Sequence, residues 1–180
     1  GGFRWMFIDF HSPFKLQELE TGDTLDLDDN ITLKDTVHPN GAKFMLRFNS
    51  YTITPGVNCI MLAEGDTVKT DEQTTIFCSE VGDVAETDNG DGTYTYAITP
   101  YVAMNVNTGT GYTTLQTAVD AVNTGDTVRI LRNIELGNGE NVNITKTLTL
   151  DLNGDTIKIE QFKVDNTYKD WFGALQVKGG

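Results

Sequence analysis

Histidine and cysteine are nearly missing from this chain, with two of each in 180 residues. His11 and His38 have no Ser, Cys or acidic partner in a recognisable motif and read as surface or turn residues. There is no HExxH, no G-x-S-x-G, no phosphate-binding loop and no CxxC, so the common zinc, serine-hydrolase, nucleotide and dithiol chemistries lack their residues. Positive charge is also scarce. Thirteen Lys and Arg stand against 26 Asp and Glu, a net charge of −13. Such a surface repels phosphate backbones and anionic lipid, so neither nucleic acid nor a membrane is the expected partner. No apolar run approaches the ~20 residues needed to span a bilayer, so membrane insertion is not expected. The opening GGFRWMFIDFH has one Arg and no small-residue cleavage site. It does not read as an intact signal peptide, and the chain reads as a mature product or a fragment.

What the chain has is turns. Thr, Asn, Asp and 18 Gly sit between short apolar runs, with hydrophobic residues at 38%. This composition suits many short strands. Strand-like runs occur at 3–10, 25–33, 42–48, 51–54, 57–63 and 73–81, with a short Ser12-Pro13 helix after the first. EGDTVKTDE, between the last two, reads as a polar turn. DNGDGTYTY (88–96) is a turn followed by an alternating strand, and it resembles the start of strands in immunoglobulin-like bacterial surface modules.

The segment 112–157 is the best specified. Thr113 and Gln116 have capping-box spacing, and Leu115, Ala118, Val119 and Val122 form an apolar stripe at helical spacing. Gly125 ends the helix. Strands follow at TVRIL, at Ile134 and Leu136, at VNI, and through Leu148, Leu150 and Leu152 to an Asn153-Gly154 turn. TGDTLDLDDNITL (21–33) aligns without gaps on TGDTVRILRNIEL (124–136), and RFNSYTIT (47–54) on DLNGDTIK (151–158). The two alignments keep nearly one offset, which reads as a degenerate repeat with one copy at 12–54.

The residues Tyr112, Leu115, Ala118, Gly125, Asp126, Thr127, Ile134, Ile144, Leu148, Leu150, Asn153, Gly154 and Ile157 resemble the opening of right-handed parallel β-helix (pectin-lyase-like) modules in secreted and cell-surface proteins of Gram-positive gut bacteria. The resemblance implies a mainly β fold, in which a capped short helix leads into the first rungs of a parallel β-helix. It places a β-rich module at 1–111 and the β-helix start at 112–180. It implies extracellular or cell-surface localisation and carries no catalytic residue, because that family's enzymes use later rungs.

Candidate site residues are few. Asp26, Asp28, Asp88 and Asp91 offer carboxylates to calcium, which collects six to eight oxygens; the alternative is a solvated turn, and no other cofactor is expected. Tyr94, Tyr96, Tyr101 and Trp171 are glycan candidates, because flat aromatic rings match sugar faces; core packing is the competing role. Cys59 and Cys78 would face each other in a hairpin centred near Val68 and Lys69, close enough for a disulfide, or remain two buried thiols on different strands. The functional expectation is a non-catalytic adhesion or display module that binds a glycan or a host or cell-surface protein. The alternative is the N-terminal portion of a carbohydrate-active enzyme, a polysaccharide lyase or glycoside hydrolase, with its active site elsewhere.

Overall fold

The computed structural model describes residues 19–39, 41–137 and 140–159, and the backbone of 175–177; Ile159 is likewise described by its backbone alone. The strand expected at 3–10 and the helix after Ser12 lie outside the described residues. The chain divides into two units, Gly1–Pro100 and Tyr101–Gly180. The division falls at Pro100 rather than at Gly111.

The first unit stacks parallel coils. β1 (Thr24–Asp26), β3 (Lys43–Arg47) and β6 (Thr67–Thr70) pair in parallel along one face. β2 (Ile31–Thr32) and β4 (Ile53–Thr54) form a second face, and β5 (Ile60–Met61) and β7 (Phe77–Cys78) a third. The stretch 25–33, expected as one strand, breaks into β1 and β2 because the coil turns a corner at Asp28–Asn30. The hairpin β8 (Gly82–Asp88) and β9 (Tyr94–Pro100) closes the first face antiparallel to β6, giving the order β1-β3-β6-β9-β8. Its turn is the Asp-Asn-Gly segment read from sequence, with Gly90 and Gly92 at positive φ. Leu25, Phe44, Leu46, Ile60, Leu62, Val68 and Tyr96 fill the interior. Strand alternation sends Phe44 and Leu46 inward and Lys43 and Arg47 outward.

One turn recurs at three coil corners. Gly22, Gly65 and Gly125 take φ of 100°, 95° and 92°. The Asp that follows each donates its N–H to the carbonyl three residues back, at 3.1 Å in all three cases. Its carboxylate accepts the N–H of that same residue: Asp23 from Glu20 at 2.9 Å, Asp66 from Ala63 at 2.7 Å, Asp126 from Asn123 at 3.0 Å. A strand starts at the next residue each time. The middle copy lies in EGDTVKTDE, read above as turn alone. That reading is corrected: β6 is the central strand of the sheet, and its single apolar residue, Val68, is fully buried.

The second unit uses the same plan. β10 (Ala103–Asn105) pairs antiparallel with β11 (Thr110–Tyr112) and with β12 (Thr127–Ile130). β12, β13 (Ile134–Leu136) and β14 (Val142–Ile144) form one coil. β15 (Thr149–Asp151), β16 (Ile157–Ile159) and β17 (Leu175–Val177) pair with them in parallel, in that order. This is a mainly β, solenoid-type architecture with one described helix, α1 (Leu115–Ala121). Leu115, Ala118, Val119 and Val122 are buried against Ala103, Val142 and Ile144. The helix cap is not the expected Thr113–Gln116 box. Thr114 is the N-cap, and its hydroxyl accepts the Thr117 N–H at 3.1 Å. Gln116 is thereby free for another task.

Candidate functional site

Cys59 and Cys78 form a disulfide with Cα atoms 5.9 Å apart. The expected hairpin between them does not exist. β5 and β7 run parallel, with Met61 opposite Cys78, so the two cysteines lie diagonally on successive coils. Parallel stacking brings them within disulfide range as well as a hairpin would.

The four carboxylates considered for calcium have other partners or face solvent. Asp26 stands opposite Arg47, 3.6 Å from its guanidinium, and Asp28 is exposed at the coil corner. Asp88 accepts the Gly90 N–H at 2.8 Å and Asp91 the Thr93 N–H at 3.0 Å, both within the β8–β9 turn. Asp91 also pairs with Lys69 at 3.3 Å. The Thr93 hydroxyl bond, with Lys69 assisting, holds the Asp91 carboxyl below its usual range. Among the described residues, no three His, Cys, Asp or Glu side chains converge as a metal site would need.

The aromatic candidates separate. Tyr96 is 2% exposed and belongs to the core, which corrects its place among surface platforms. Its ring centroid lies 4.6 Å from that of Phe77. Its hydroxyl accepts the Thr74 N–H at 2.7 Å and donates to Glu86 at 2.9 Å. Burial pushes this phenol up to about 12. Tyr94 packs half-buried against the same core. Tyr101 lies flat over Gly111, where a Cβ would meet the ring at 2.2 Å, so that glycine makes room for it. Trp171 and His11 lie outside the described residues; His38 is exposed.

What sequence reading passed over is the outward face of the five-stranded sheet. Lys43, Met45 and Arg47 project from β3, Thr67 and Lys69 from β6, and Thr95, Ala97 and Thr99 from β9, by strand alternation against the buried Phe44, Leu46, Val68 and Tyr96. The signal was present in K-F-M-L-R, where charge and bulk alternate. This face carries mixed charge, with Arg47 paired to Asp26 and Lys69 to Asp91 beside Lys43, and offers the hydroxyls of Thr67, Thr95 and Thr99. No family model, curated protein or solved structure matches the chain. Among the described residues no helix is long and apolar enough to cross a membrane.

Proposed function

We propose that this chain is a non-catalytic module of a bacterial secreted or cell-surface protein, serving adhesion or display, with a glycan or a host surface protein as its partner. In this reading the second unit is the helix-capped start of a pectin-lyase-like parallel β-helix. The observation that carries it is how the carboxylates are used. Asp23, Asp66 and Asp126 close coil corners, and Asp26 and Asp151 lie in cross-strand ion pairs. These are the duties of a rigid scaffold. The Cys59–Cys78 disulfide agrees with an oxidising compartment. The outward sheet face with Lys43, Arg47 and Lys69 is the surface we assign to the partner. The alternative, an N-terminal portion of a polysaccharide lyase or glycoside hydrolase, shares this coil architecture.

The test is a glycan array and a panel of immobilised host surface proteins, probed with the chain and with K43E/K69E. Saturable binding weakened by the double substitution supports the reading. Turnover of a polysaccharide, abolished by a point substitution within the described residues, overturns it.

A further inference from the structure

The two units carry one cross-strand ion pair at the same place with its polarity reversed. In the first, β1 pairs with β3 as Thr24↔Met45, Leu25↔Leu46 and Asp26↔Arg47. In the second, β12 pairs with β15 as Thr127↔Thr149, Val128↔Leu150 and Arg129↔Asp151. The Arg47–Asp26 contact is 3.6 Å and the Arg129–Asp151 contact 2.8 Å. Acid precedes base in the first unit, and base precedes acid in the second.

Asp151 also accepts the Asn153 N–H at 3.0 Å and Asp26 the Asn49 amide at 3.3 Å, but the corners, clasps and apolar rows around the pairs are interchangeable. The Gly22 N–H bonds to Lys43 and the Gly125 N–H to Thr147, both at 2.8 Å. Asn30 accepts the Thr52 N–H and hydroxyl at 2.9 and 3.1 Å; Asn133 accepts those of Thr156 at 2.9 and 3.0 Å. Ile31 faces Ile53, and Ile134 faces Ile157. Corners, clasps and apolar rows therefore permit β1 to accept β15, and β12 to accept β3, within one chain or between two. β1 and β15 are both Thr-Leu-Asp. In such crossed pairings Asp26 would stand opposite Asp151, and Arg129 opposite Arg47. Like charges directly opposite each other in a sheet repel.

We infer that the reversed polarity of Asp26–Arg47 and Arg129–Asp151 is a pairing code that keeps the two blocks from exchanging strands during folding and between copies of the chain. Each pair is partly exposed and adds little to native stability. Its effect lies in the difference between correct and crossed partners, which changes sign at both positions at once.

The experiment refolds the full chain from denaturant by dilution, with the disulfide left intact, and measures recovered monomer by size-exclusion chromatography. D26R/R47D keeps the native pair but makes both crossed pairings complementary, and R129D/D151R does the same from the other unit. The quadruple variant D26R/R47D/R129D/D151R restores the code with all signs inverted. Each double swap is expected to recover roughly threefold to tenfold less monomer, with the loss appearing as dimer or aggregate. The quadruple variant is expected to recover like the parent chain. Double swaps that refold as the parent does would overturn the inference. So would a quadruple variant that refolds no better than the doubles, since the defect would then be local to the substituted strands.

Discussion

The Gln116 side chain takes the place of a neighbouring strand for Asn143. Its carbonyl accepts the Asn143 N–H at 2.7 Å, and its amide nitrogen donates to the Asn143 carbonyl at 3.2 Å. The second donor of that nitrogen reaches Asp120 at 2.9 Å. A solenoid edge exposes backbone groups that seek partners. α1 and its C-cap residue cover the apolar interior with Leu115, Val119 and Val122, and one glutamine satisfies the edge. Lys146 secures the other end of the helix by donating to the Asp120 and Val122 carbonyls.

Gln116→Ala removes both partners from Asn143 and is expected to cost about 1–3 kcal/mol. Denaturant unfolding measures the loss, and amide exchange at Asn143 should quicken more than at Val128. Unchanged exchange at Asn143 would contradict the strand-surrogate role.

The turns Asn49-Ser50 and Asn153-Gly154 are equivalent corners. Tyr51 N–H bonds to Phe48, and Asp155 N–H to Leu152, both at 2.8 Å. Both central residues have positive φ: 51° and 70° in the first turn, 52° and 88° in the second. Serine in the left-handed region is strained by its Cβ, whereas glycine is not. Ser50→Gly is expected to stabilise the first unit by about 0.5–1 kcal/mol, and Gly154→Ser to destabilise the second by about the same. A melting temperature that falls in S50G would refute the assignment of strain.

The disulfide closes a loop with a sequence separation of 19 between successive coils. Reduction, or Cys78→Ser, is expected to cost about 3 kcal/mol through the freedom it returns to the unfolded chain. Alkylation of the denatured, unreduced protein followed by intact mass checks the bond: no added label is expected, and two labels would rule it out.

Tyr96 supplies a pH dependence. Burial raises its phenol to about 12, against about 10 in an unfolded chain. The folded state therefore favours the protonated form. That stabilisation is complete below pH ~10 and is lost as pH rises from ~10 to ~12. Tyr96→Phe leaves the Thr74 N–H without its acceptor and should lower stability by about 1–2 kcal/mol near neutral pH. The gap in melting temperature between parent and Y96F should shrink across that alkaline window. A constant gap would place the raised phenol elsewhere.

Features encoded within a few neighbouring residues were legible in the sequence alone. The Gly-Asp-Thr corners, the Asn-Gly turn at 153–154, the β8–β9 turn and the apolar stripe of α1 each follow from local sterics and hydrogen bonding, which distant chain does not alter. Partner choice was different. Parallel coils join residues 21 apart at Thr24 and Met45, 24 apart at Lys43 and Thr67, and 17 apart at Ile60 and Phe77. No tight turn sets those registers, as one would in a hairpin. So the sequence left Cys59 and Cys78 between hairpin neighbours and separate strands, read Val68 as part of a turn, and left Tyr96 between a sugar platform and the core. Only closing the coils around an interior within each unit decided that Val68 and Tyr96 point inward in the first, and that Gln116 lies beside the Asn143 backbone in the second.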